Sequence, residues 1–212
     1  MTQNTDYKYT VLIPYLSTIN GVPNRCIDMC KEYLYKNSTY PFELLEAVDY
    51  PDYYLAVNDN FMKASTDIVI LFNDDMFVEP GWDELYVKHT KPKSVVSGYL
   101  VESGRIEVGG GAIEFDCGRE PENFDYNKFI EFSKSYKEAN NIPESLPILG
   151  HAAPCALHKD SWIPFEIIPG MLNNSSGVDG DYFFNVLPNA GFTYNKINSF
   201  VYHIQSFTSK PN

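Results

Sequence analysis

Apolar residues come in short β-branched runs separated by polar stretches of helical period, and this alternation begins early. Tyr9-Thr-Val-Leu-Ile-Pro14 is such a run, closed by proline, and predicts a buried strand. A loop with Asn20-Gly21 and Pro23 follows. Residues 25–35 then place Ile27, Cys30 and Leu34 on one side of an amphipathic helix. Phe42 to Val48 reads as a second strand and Asn60 to Ser65 as a short helix. The clearest strand, Asp67-Ile-Val-Ile-Leu-Phe72, stops abruptly at Asn73-Asp74-Asp75. Strand, helix, strand, helix, strand is the signature of an α/β sheet with parallel crossovers. Such sheets take their ligands beyond the carboxyl ends of the strands, so the acidic turn stands where a site belongs.

The second half is less regular. Ser94 to Val101 reads as a strand, Gly109-Gly110-Gly111 as a flexible turn and Phe124 to Asn140 as a helix. Pro154 to His158 reads as a strand, Asp179 to Val186 as a helix opening and Phe200 to Ile204 as a last short strand. The tail from Ser206 is expected to be mobile.

Composition narrows the class. The 212 residues are 44 % apolar and 21 % charged, enough for one domain with a real core. This excludes disordered, collagen-like and disulfide-scaffold chains. Lys and Arg number 16 against 28 Asp and Glu, a net charge of −12. No basic stripe is present to neutralise phosphates, which argues against a nucleic-acid binder. No apolar run approaches the roughly 18–20 residues of a membrane span. The start, MTQNTDYKYT, has no apolar leader segment, so a cytoplasmic location is expected. Cys26, Cys30, Cys117 and Cys155 form no zinc pattern. Cys26 and Cys30 share a helix face, and buried reduced thiols are the expectation. A negative protein that handles a negative ligand needs a cation between them.

Adjacent carboxylates at a strand end, as in Asn73-Asp74-Asp75, repel unless a cation or donor cluster is near. Oxygen ligands there suit Mg²⁺ or Mn²⁺, although an Asx turn or a helix N-cap would account for the same residues. Asp179 and Asp181, two apart at a helix start, fit either N-terminal capping or proton transfer. Asp49 lies in Val48-Asp-Tyr-Pro-Asp52, as either a loop acid or an acceptor for a base. His203 alone reads as a core histidine at a strand end. The triple glycine lacks the following GK[ST] of a P-loop and fits a bulge or a close approach to a sugar. His151 and Trp162 suit either an acceptor site or the core.

Several of these segments occur together in one family. Asn58, Asn60, Phe61, Ala64, Thr66 and Asp67 precede the clearest strand. Asn73-Asp74-Asp75 ends it, and Val78-Glu-Pro-Gly-Trp82 follows. Cys155 to Trp162, Val178-Asp179-Gly180-Asp181, Gly191-Phe192 and Val201-Tyr202-His203 come later in the same order. Over roughly residues 9–205 the chain resembles the nucleotide-sugar glycosyltransferases of the GT-A fold, in particular the family-2-like group. In type it is also similar to glycosyltransferase domains encoded by large algal viruses, for which the location would be the host cytoplasm. Two glycines of the family pattern are replaced, and the first acid of its DxD motif is Asn73.

The resemblance implies one α/β domain, a central mixed, mostly parallel sheet flanked by helices. Its nucleotide-binding half would span about 9–100 and its acceptor-binding half about 101–205. The chain is short for a stand-alone member of the group and fits one domain of a longer polypeptide. The implied activity moves a sugar, of the hexosyl or deoxyhexosyl class, from a UDP-sugar donor to a glycan or other hydroxyl acceptor.

A divalent cation would stabilise the departing diphosphate. Asp75 and His203 are its expected ligands, and an imidazole beside a carboxylate favours Mn²⁺ over Mg²⁺. Asp74 would support through the ribose or a metal-bound water. Pro14, Tyr15, Leu16 and Asp49 would meet base and ribose, and Asn58 and Asn73 complete the donor side. Asp179 would be the general base of an inverting reaction; under retention, Asp179 or Asp181 would only hold hydroxyls.

Two other classes remain. A sugar-1-phosphate nucleotidyltransferase shares the α/β start but would want a glycine-rich basic loop after the first strand, where this chain has Tyr15 to Arg25. A non-catalytic carbohydrate- or metal-binding module would use the acidic clusters without turnover.

Overall fold

The first strand, β1 (Tyr9–Tyr15), is buried along almost its whole length, because its apolar side chains meet a helical layer on each face. The computed structural model describes residues 6–104, 111–148, 154–166, 178 and 180–204. A short hairpin, β2 (Thr18–Ile19) and β3 (Val22–Pro23), follows β1. Its two-residue turn has Asn20 at φ 52° and Gly21 at φ 78°, the left-handed pair a tight hairpin demands. Then come α1 (Cys26–Asn37), β4 (Phe42–Val48), α2 (Tyr53–Phe61), β5 (Ile68–Leu71), β6 (Met76–Val78) and α3 (Asp83–His89). The second half adds β7 (Ser94–Glu102), β8 (Ile113–Glu114), α4 (Tyr126–Asn140), β9 (Ser145–Pro147), β10 (Cys155–His158) and β11 (Thr193–His203).

The main sheet runs β4-β1-β5-β10-β7-β11-β6, with β8 beside β7 and β9 beside β11. β4, β1 and β5 pair in parallel, as do β7 with β11 and with β8. β10 runs against both β5 and β7, and β6 and β9 run against β11. Among the described residues six of the nine strands therefore point one way, and the sheet is mixed but mostly parallel. One core cluster gathers α1, α3 and α4 residues on one face; the other holds α2 and the helical residues after Gly180 on the opposite face. Among the described residues no helix is long and apolar enough to cross a membrane.

The strands and helices expected at Tyr9, Arg25, Phe42, Asp67, Ser94, Phe124 and Pro154 are all present, with ends shifted by a few residues or fewer. Three differences have physical causes. The helix expected at Asn60–Ser65 lies earlier: α2 runs from Tyr53 to Phe61, and only Asn60 and Phe61 of the expected span are helical. Asp52 caps it by accepting from the backbone N–H of Tyr54 (2.8 Å) and Leu55 (3.1 Å), so the Tyr-Pro-Asp sequence is a helix entry and not merely a turn. The last strand is eleven residues long, not five. A register shift between Lys196 and Phe200 brings Asn198 and Ser199 into mid-strand and hides the alternation. The helix after Asp179 contains a π turn at Tyr182–Val186. The turn expected at Gly109 and Gly110 and the tail from Ser206 lie outside the described residues.

Candidate active site

The carboxyl ends of β1, β4, β5, β7 and β11 lie along one edge of the sheet. The antiparallel strands β6 and β10 begin at that same edge, with Met76 opposite His203 and Cys155 opposite Leu71. Strand register thus gathers Tyr15, Asp49, Asn73, Asp74, Asp75, Glu102 and His203 from distant parts of the chain. His203 pairs with Glu102 across β7 and with Met76 across β6, so its side chain lies between the acidic turn and the end of β7. The Ile204 amide donates to the Asp75 carbonyl at 3.0 Å and fixes the turn to the end of β11.

The imidazole of His203 has a carboxylate on each nitrogen. Nε2 is 3.3 Å from Asp75 Oδ1, and Nδ1 is 2.8 Å from Glu102 Oε1. Both carboxylates are buried, with side-chain exposures of 3 % for Asp75 and 5 % for Glu102. Burial alone would lower the imidazole pKa, but the Asp75 and Glu102 carboxylates outweigh it and push it up to about 10. The Cys26 and Cys30 thiols are held well above their ordinary values, chiefly by burial and further by Asp74 and Asp75. They are therefore protonated, inert groups. All four cysteines are free and buried, as the sequence implied.

Asp74 is also buried. Its Oδ2 accepts from Asn24 Nδ2 at 2.5 Å, and the same nitrogen donates to the Leu16 carbonyl at 3.0 Å. Asn24 Oδ1 in turn accepts from the Cys26 and Ile27 amides, which caps α1. Asp49, with φ 56°, takes the Ser17 N–H and hydroxyl at 2.7 and 2.8 Å. These bonds hold its carboxyl below the usual range. Tyr15 donates to Glu46 at 2.8 Å. Burial first, then Glu46, pushes its hydroxyl up to about 12. Pro14 is buried within β1, whereas Leu16 is 44 % exposed beside the hairpin.

Other expected residues are placed differently. Asn58 lies on α2 and uses its amide on the Phe165 backbone, donating to the carbonyl and accepting from the N–H, both at 2.9 Å. It pins the chain after β10 and lies outside the cluster around His203. Asn73 contributes its carbonyl, which accepts from the Cys30 thiol. Asp181 is exposed and accepts from Asn185 at 2.8 Å within the helix. Trp162 stacks on Phe61 with centroids 3.8 Å apart and also meets Phe165 and Tyr182, so it belongs to the second core cluster. Asp179 and His151 lie outside the described residues. Asn24 and Glu102 were missed. Asparagine before a helix is a capping signal, and an acid closing a long apolar strand was visible in Val101-Glu102.

The Asp75–His203 pair fits a small divalent cation. Two neighbouring ligands at octahedral bond lengths of about 2.1 Å lie about 3 Å apart, close to the separation seen. A carboxylate on the far imidazole nitrogen is the usual companion of a metal-bound histidine. Among the described residues no set of three His, Cys, Asp or Glu side chains forms a cage. A cation held by this pair would take its other positions from phosphate and water, the common arrangement for cations that serve phosphate substrates.

No family model matches the sequence, and no curated protein matches it. The architecture itself sets the class: an α/β protein with the GT-A fold, its central mixed sheet flanked by helices and its acidic cluster at the carboxyl edge. Among solved structures it is similar to GalNAc-T7, crystallised with UDP, GalNAc and Mn²⁺. The TM-score is 0.55 at 10 % identity, over 95 % of this chain and 44 % of that one. The chain thus spans less than half the length of that structure. A197 from STIV aligns over 92 % of this chain and 84 % of its own, with a TM-score of 0.49 and 12 % identity.

Proposed function

We propose that the protein is a metal-dependent glycosyltransferase that moves a sugar from a UDP-sugar to a hydroxyl of a glycan or related acceptor, within a single GT-A domain. One observation carries this reading. The acidic turn after β5 and the histidine ending β11 converge at 3.3 Å on the edge where α/β sheets bind ligands. The GT-A fold supports it, as does the presence of UDP and Mn²⁺ in the GalNAc-T7 structure.

Asp75 and His203 would hold Mn²⁺ or Mg²⁺, which when bound supplies Lewis-acid stabilisation to the departing diphosphate. The chain's own groups do the rest. Tyr15, Leu16 and Asp49 line the base side next to the end of β1, and Asp49 keeps lone pairs beyond the two bonds from Ser17. Asp74, held by Asn24, faces the ribose side. Asp179 takes the proton from the acceptor hydroxyl if the reaction inverts, and Asp181 helps to orient sugar hydroxyls.

The test is a donor screen. The protein is incubated with a panel of UDP-sugars and Mn²⁺, and released UDP is measured with and without simple sugar acceptors. UDP release that falls at least about a hundredfold in Asp75→Ala supports the reading, since removal of a group that stabilises transition-state charge costs on this scale. No release from any donor, together with no binding of UDP, overturns it. Sugar binding without a nucleotide requirement would favour a non-catalytic module.

A further inference from the structure

We infer that Glu102 is a positioning residue for the metal site: it fixes the rotamer and the tautomer of His203 so that Nε2 faces Asp75. The inference rests on the metal reading proposed above and assigns the chain's own contribution to it. Glu102 and His203 are register partners on parallel strands, the last residues of β7 and β11. Glu102 Oε1 accepts from Nδ1 at 2.8 Å with its side chain 5 % exposed. A free imidazole flips its ring and shares its proton between two nitrogens. One that donates from Nδ1 to a buried carboxylate does neither, and Nε2 is left to meet a cation.

The surroundings hold Glu102 in its turn. Its carbonyl accepts from the Phe115 amide at 2.8 Å, and β8 pairs with the last two residues of β7. The residue before the histidine, Tyr202, is clamped by its hydroxyl, which donates to the Gly118 carbonyl and accepts from the Cys117 amide. Neither end of the Glu102–His203 pair can move without breaking strand or loop hydrogen bonds. Glu102 itself faces the ring nitrogen away from Asp75, so it acts on the cation through His203.

The test measures metal uptake by the full chain. Mn²⁺ is titrated into wild type, Glu102→Leu, Glu102→Gln, His203→Asn and Asp75→Asn, and free Mn²⁺ is read by electron paramagnetic resonance. Glu102→Leu should weaken Mn²⁺ about 10- to 100-fold, the range for loss of an outer partner of a ligating histidine. Glu102→Gln, which keeps an acceptor oxygen, should recover most of that loss. In the Mg²⁺-loaded protein, the ¹⁵N shifts of His203 should report a single Nδ1–H tautomer in wild type and a mixture in Glu102→Leu.

Unchanged Mn²⁺ affinity and tautomer in Glu102→Leu, with affinity lost in His203→Asn, overturns the role of Glu102 and leaves the metal reading intact. No metal uptake by the wild type, with or without UDP, overturns both and is seen before any variant is made. If Glu102→Leu does not fold, Glu102→Asp retracts the acceptor by one methylene. It must then show a reproducible loss of affinity, or the role is refuted.

Discussion

Asn24 donates one amide nitrogen to both the Asp74 carboxylate, at 2.5 Å, and the Leu16 carbonyl, at 3.0 Å. Its oxygen caps α1, so one buried side chain joins the loop after β1, the first helix and the acidic turn. Asn24→Ser keeps a capping oxygen but loses both donations. A hydrogen bond to a charged group contributes about 1.5–3 kcal/mol, and the urea midpoint should fall accordingly. Asn24→Asp caps equally well but sets a second carboxylate against Asp74, so it should be the less stable of the two near neutral pH. An Asn24→Asp protein as stable as wild type would refute this coupling.

The imidazolium of His203 gives the metal-free protein a defined pH response. Its pKa is raised from the ordinary 6.5 to about 10 by Asp75 and Glu102 against the opposing effect of burial. A raised pKa means the folded state holds the proton more tightly. The stabilisation is complete below the unfolded pKa and is lost as pH rises through about 10. Chemical denaturation of the chelator-treated protein should show stability from this group declining between pH 6.5 and 10. In Asp75→Asn that decline should be smaller. Because Nε2 must shed its proton to meet a cation, Mn²⁺ affinity should instead rise with pH over the range 6 to 8, by up to about tenfold per unit.

Much of the frame was readable because buried strands are written as continuous β-branched runs. Tyr9–Pro14 and Asp67–Phe72 are such runs, and their parallel pairing followed from the helices between them. The same logic placed Asp75 and His203 at strand ends. Periodicity failed where polar residues sit inside elements. The bulge hides the centre of β11 behind Asn198 and Ser199, and three-residue β6 follows the acidic turn too closely to show a pattern of its own. The Glu102–His203 and Asn24–Asp74 bonds escaped for another reason: each joins residues far apart in sequence. Only the sheet register and the close of the β1 loop bring those partners near.

Two protein ligands hold a cation weakly by themselves, so metal and nucleotide should bind together. Calorimetric titration of UDP should show affinity at least about tenfold higher with Mn²⁺ than without. Linkage requires UDP to raise Mn²⁺ affinity by the same factor. Asp75→Ala should abolish the enhancement and leave the weak, metal-independent binding of uridine to the base side. Equal UDP affinity with and without metal would separate the nucleotide site from the Asp75–His203 pair.

Gly98 connects packing to the site. It lies in β7 where the strand passes the bulge of β11, and a Cβ there would fall 2.5 Å from the Ser199 carbonyl oxygen and 2.9 Å from the Tyr86 hydroxyl. Neither neighbour yields easily. The Ser199 hydroxyl donates to the Trp82 carbonyl at 3.0 Å, and the adjacent Phe200 amide donates to Glu79, which also takes Lys137 at 2.6 Å. Tyr86 is fully buried and donates to the Pro154 carbonyl. Gly98→Ala must therefore push β7 and β11 apart, an overpacking cost of about 1–3 kcal/mol in urea denaturation. Those two strands carry Glu102 and His203 at their ends, so Mn²⁺ affinity should fall as well, although residue 98 touches neither. A destabilised Gly98→Ala protein with wild-type Mn²⁺ affinity would show that the strand ends are held by their own hydrogen bonds, independently of the packing below them.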